Sequence, residues 1–171
     1  MSVTPVTAAA SPDNPTDLHG WFAAHDGLVV VALPNPVVEA LGHHPTSDYF
    51  ERYWLPTIGP SATWLYRNLA AGLERHPEGY PVHLPTLAQE IGLGAATGRN
   101  AALTRTLVRL VDFQLAEVLE GQLAVRPMIP PLSRRQAARL PEHLAERHRR
   151  EPLVGQVPRP MHDGLSVDLE W

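Results

Sequence analysis

Arg99, Arg105 and Arg109 stand close together in a chain whose 14 basic residues are all arginine. A guanidinium is a planar fork of donors that grips phosphate bidentately and reads the O6 and N7 edge of guanine. At 100° per residue, Arg105 and Arg109 fall on one helix face, opposite Leu103, Leu107, Leu110 and Val111. Gly98 and Ala102 lie beside them, and such small residues let two exposed cations approach a groove closely. Arg126 adds a guanidinium further on, but Glu120 between them would repel a phosphate. The bland alternative is a solvated helix face whose arginines pair with Asp112 or Glu117.

The distribution of charge sharpens this contrast. The whole chain carries a formal −4, yet residues 97–150 hold ten arginines against Asp112, Glu117, Glu120, Glu142 and Glu146. A basic half on an acidic protein suits an anionic partner, because steering follows the local field and not the total.

Other chemistry finds little support. The absence of cysteine excludes disulfides, thiolate metal sites and a cysteine nucleophile. His43 and His44 lie near Glu39 and Asp48, and His143 and His148 are five apart, but no three ligands take a recognised metal spacing. There is no glycine-rich phosphate loop and no GxSxG motif. The expectation is a protein that is not an enzyme and has no cofactor or metal. No secretory leader follows Met1 and no apolar run approaches ~20 residues, so a cytoplasmic protein without membrane contact is expected.

The elements that must position these arginines follow from periodicity. Residues 1–16 are rich in Ser, Thr, Pro and Ala and read as a disordered tail; residues 151–171 read as a flexible C-terminal tail; residues 17–150 form the domain. Asp17 can cap a short helix over 18–24, and the apolar run 28–33 predicts a strand buried on both faces or lent to a partner. Gly42 ends a helical turn over 37–41, and Ser47 or Thr46 caps a helix bearing Tyr49, Phe50, Tyr53 and Trp54 that Pro56 should break. Gly59-Pro60 starts a longer helix with Trp64, Leu65, Leu69 and Leu73 as its apolar stripe. An extended segment over 80–84 leads to a helix over 85–91, a turn at Gly92-Leu93-Gly94, and a helix from Thr97 to about Phe113. A hairpin turns at Glu120-Gly121, and Ser133 caps a basic helix that Pro141 kinks or restarts before Arg150. The ending 165–171 alternates and suits an added strand or a docking peptide.

From Pro60 to Met128 the chain resembles the winged helix-turn-helix superfamily. The residues that carry this are Leu87-Ala88-Gln89-Glu90-Ile91-Gly92-Leu93, the helix opened by Thr97, and the hairpin around Glu120-Gly121. The resemblance implies a mainly α fold with a small β-hairpin: a winged-helix core with N-terminal and C-terminal helical extensions. It implies double-stranded DNA as partner, a homodimer, and a role in transcription regulation or as a DNA accessory factor. Arg99, Asn100, Arg105 and Arg109 on the third helix, with Arg126 beyond it, are the candidate contacts. The alternative is a non-catalytic protein-interaction module on the same scaffold, docking a partner through the 28–33 strand or the Trp171 segment.

Overall fold

The computed structural model describes residues 15–151. The expected tails over 1–14 and 152–171, with the alternating 165–171 segment, lie outside the described residues. Asp17 caps α1 (Leu18–Ala23), accepting the Gly20 amide at 3.0 Å. β1 (Gly27–Ala32) ends before Pro34, and Asn35 caps α2 (Pro36–Leu41) by accepting from the amides of Val37 and Val38.

The next helix departs from the sequence pattern. Ser47 caps it, accepting the Phe50 amide at 3.3 Å, but Pro56 does not break it. The helix widens into a π turn over Phe50–Trp54, where the Leu55 amide reaches back to Phe50, and continues as α3 (Leu55–Ile58). In a regular α-helix the Pro56 ring would collide with the carbonyl four residues earlier and leave it without a donor. The wider turn immediately ahead absorbs that misfit.

Gly59 then redirects the chain into α4 (Pro60–Arg75). Ala62, Leu65, Tyr66, Leu69 and Leu73 form its buried line, which turns Trp64 outward to 63 % exposure instead of into the stripe. β2 (Tyr80–His83) follows, then α5 (Leu84–Glu90) and α6 (Ala102–Asp112). Both of these helices end in the same hydrogen-bonded motif. At α5 the Gly92 and Leu93 amides return to Gln89 and Ala88, at 3.0 and 2.7 Å. At α6 the Gln114 and Leu115 amides return to Val111 and Leu110, both at 2.9 Å. The pivot residue must be left-handed, as Gly92 is at φ 77° and Gln114 is at φ 59°.

The hairpin of β3 (Ala116–Leu119) and β4 (Gln122–Val125) turns on Glu120 and Gly121, both at positive φ as a two-residue turn of this kind demands. It does not stand alone. The sheet has four strands in the order β2-β1-β4-β3, with β1 antiparallel to β2 and parallel to β4. The molecule is therefore mixed α and β, with more sheet than a hairpin supplies. The apolar run is an interior strand, though not buried on both faces: Leu28 and Val30 point into the core, while Val29 is 40 % exposed. Register aligns Tyr80, Val30, Leu123 and Val118 in one row across the sheet. That row packs with Leu65, Leu69, Leu87, Leu103, Leu107 and Leu110 in a single core, and Ile91 sits at its margin.

A C-terminal arm closes the far side. Ser133 and Gln136 form a reciprocal cap on α7 (Arg134–Ala137), and Pro141 restarts the chain as α8 (Glu142–Arg150). The Tyr49 hydroxyl accepts the Leu132 amide at 2.9 Å and shares a second hydrogen bond with His148 Nε2 at 2.7 Å. His43 stacks on Tyr49 at 3.6 Å, and burial there pushes the His43 imidazole down to about 4, so it remains neutral near pH 7. Glu151, expected in the flexible tail, is instead bound to Arg52 at 2.8 Å.

Two outcomes test this architecture. Leu107, with no exposed surface, should cost about 2–5 kcal/mol when truncated to alanine, read by denaturant unfolding. Removing residues 1–16 should leave the melting transition nearly unchanged, while removing residues 1–34 should abolish cooperative folding. Equal tolerance of both deletions would show that β1 has no structural role.

Candidate nucleic-acid interface

The structure divides the five candidate residues. α6 begins at Ala102 and not at Thr97, because Gly98 has a φ of 111° that no helix admits. Thr104, within the helix, donates its hydroxyl back to the Gly98 carbonyl at 2.8 Å and fixes this loop against the first turn. Arg99 and Asn100 therefore lie on a loop ahead of α6.

Arg99 is already engaged. Its guanidinium makes two bonds to the Asp17 carboxylate, one of them from Nη2 at 3.1 Å, and the Arg99 carbonyl accepts from His19 Nδ1 at 3.1 Å. The Arg99 bond, followed by the Gly20 amide, holds the Asp17 carboxyl below the usual carboxylate range. These contacts tie the loop to α1, although the pair is solvent-exposed and adds little stability.

Arg126 is also occupied. Its Nε donates to the Gln114 carbonyl at 2.7 Å, its Nη2 lies 3.9 Å from Glu117, and its side chain is only 15 % exposed. The Arg126 carbonyl accepts the Tyr66 hydroxyl at 2.7 Å. This arginine fastens the foot of the hairpin to the end of α6 and to α4.

Arg105 and Arg109 remain, one turn apart on the exposed face of α6, and the structure brings them together as their spacing predicts. Within the described residues neither pairs with a carboxylate, so the reading in which Asp112 or Glu117 neutralises them does not hold there. Arg109 donates from Nη1 to the Ile58 carbonyl at 3.1 Å, which anchors one edge of its fork at the end of α3. Together with Ala102 and Thr106 the two arginines form one wall of a groove of about 340 Å³. Gly59, Pro60 and Ser61 form the other wall. Gly59 supplies no side-chain cap to α4, Pro60 has no N–H and the Thr63 amide is bonded to the Gly59 carbonyl. The amides left at this positive helix end are those of Ser61 and Ala62, both lining the groove. The arrangement is a shallow positive cleft suited to an anionic oxygen. Asp112, exposed one turn beyond Arg109, does not line this groove.

Sequence reasoning missed the second wall. The Gly59-Pro60 junction signalled the start of a helix, but only the fold sets that start opposite Arg105 and Arg109. The histidines have other uses: His44 bonds Glu74 at 2.8 Å and Thr46 at 2.7 Å. Among the described residues no three of His, Asp or Glu converge as metal ligands. Nor is any described helix long and apolar enough to cross a membrane. No family model, curated protein or solved structure compared with this chain matches it.

The loop placement of Gly98 has a signed consequence. Inside a helix, Gly98→Ala would stabilise the protein by roughly 1 kcal/mol. At φ 111° in open space the same change should instead destabilise it by about 1–2 kcal/mol, visible as a lowered melting temperature.

Proposed function

We propose that this chain is a nucleic-acid-binding module that presents the exposed face of α6 to duplex DNA. The observation that carries the reading is the convergence of Arg105 and Arg109 with the uncapped start of α4 on one open groove. The order α4, β2, α5, α6 and the β3–β4 hairpin supports a winged helix-turn-helix assignment, in which α6 is the recognition helix. Phosphate contact belongs to the arginine forks and the α4 amides, and base reading to whichever guanidinium reaches an edge. The hairpin tip, acidic at Glu120, supplies no phosphate contact in this scheme. The module acts as a DNA-associated regulator or accessory factor without a cofactor.

Replacing Arg105 and Arg109 together with alanine should weaken duplex binding without unfolding the protein, since both side chains are exposed. Where they touch phosphate, the slope of log affinity against log salt should fall by about 0.9 per lost contact. Where one reads a base, discrimination at one position should fall by about 1–3 kcal/mol. A mobility-shift series on random and selected duplexes measures both. No shift at ~50 mM salt, where electrostatic binding is strong, would overturn the proposal.

A second reading rests on a different observation. Trp64 is 63 % exposed, and Val37 and Leu41, a turn apart on α2, are 64 % and 48 % exposed. Large apolar side chains held in water favour a protein-docking role, to a partner or to a second copy. Sedimentation of the wild type beside Trp64→Ala separates self-association from a monomer.

A further inference from the structure

The C-terminal arm carries a groove that the nucleic-acid reading does not use. α7 and α8 diverge around a cleft of about 510 Å³, floored by Leu132, Ala137, Ala138 and Ala145 and edged by Arg134 and Arg149. The arm is strongly basic. Over residues 134–150 six arginines stand against only Glu142 and Glu146, and Glu146 is already bonded to Arg150. An apolar floor between cationic rims selects an extended ligand with one apolar edge and one acidic edge.

The chain contains such a segment. Residues 165–171 read Leu165-Ser166-Val167-Asp168-Leu169-Glu170-Trp171. In an extended conformation alternate side chains point to opposite sides, so Leu165, Val167, Leu169 and Trp171 share one edge and Asp168 and Glu170 the other. We propose that residues 165–171 of the same chain occupy the α7–α8 groove, apolar edge down, with Asp168 and Glu170 against the rim arginines.

Reach permits this. His148 and Arg149 line the cleft at the end of α8, so the tether runs only from Glu151 to Leu165. A linker of that length can reach at most roughly 45 Å. It keeps the segment near its site at an effective concentration of about millimolar, so a weak contact is mostly formed. The occupant would also cover arginines that otherwise attract anions to this end of the molecule.

Because the 171-residue chain lacks cysteine, pairs of cysteines introduced into it give a clean test. Ala138 is exposed at the groove, and Ser61 is exposed at the start of α4, so neither replacement enters the core. Under mild oxidation Ala138→Cys with Val167→Cys should form an intramolecular disulfide about ten-fold faster than Ser61→Cys with Val167→Cys, as docking raises the local concentration. Adding Asp168→Arg and Glu170→Arg should remove that advantage, as should high salt. Equal rates for the two pairs would overturn the proposal. So would a disulfide-linked dimer as the main product, which assigns the groove to a second copy. Persistence of the advantage after charge reversal would overturn the pairing with the rim arginines.

Discussion

The parallel pairing of β1 with β4 is the constraint on which the rest of the structure depends. Val30 is aligned with Leu123, far along the chain, so all the chain between them must loop out and return for that register to close. Parallel neighbours need a long crossover, and here the crossover contains α2, α3, α4, β2, α5, α6 and β3. β2 pairs on the other edge of β1, which makes β1 the strand that joins the hairpin to the first part of the sheet. Its composition suits this interior position. Leu28 and Val30 fill the core, and β-branched residues pack well against neighbours on a pleated surface. Contacts this distant in sequence also make folding slower than local helix pairing would.

α6 inherits its orientation from that sheet. Leu103, Leu107 and Leu110 pack into the core beneath it, and the left-handed Gln114 turns the chain directly into β3. With both ends fixed, Arg105 and Arg109 have no choice of side and must face outward. The hydrogen bond from Arg109 to the Ile58 carbonyl links this face to α3, and through Gly59 to the start of α4. The groove is thus a product of three elements whose relative positions the core determines.

At the opposite end, the π turn over Phe50–Trp54 has a comparable organising role. It rotates Tyr53 and Trp54 into the core, where Trp54 donates its indole N–H to the Pro130 carbonyl at 3.1 Å. Tyr49 stays at the margin to receive His43 by stacking and His148 by hydrogen bonding. Burial pushes the Tyr49 phenol up to about 12, so it stays protonated and able to donate. Arg52 and Glu151 close the same seam. The basic arm is thereby fastened through polar contacts, with only its inner residues reaching the core.

Features set by short-range physics were legible in the residues alone. Ser133 capping α7, Gly92 ending α5, the Glu120-Gly121 turn and the phase of Leu103, Leu107 and Leu110 all depend on neighbours within a few positions. The shared face of Arg105 and Arg109 is of the same kind. Where several local arrangements were compatible with the residues, only the tertiary structure decided. Thr97 is a good capping residue, yet the helix starts five positions later, because Gly98 turns the loop back so that Arg99 meets Asp17. Pro56 is a helix breaker whose effect a π turn cancels when the flanking aromatics are drawn into the core. An apolar run such as 28–33 states that it must be covered, but not by what; its edges are paired by β2 and β4 and its core face packs against α4, all distant in sequence. Arg126 and Arg105 are the same residue type, and one became a structural tie while the other stayed open. Their difference lies in what the fold places beside each guanidinium, which no local pattern encodes.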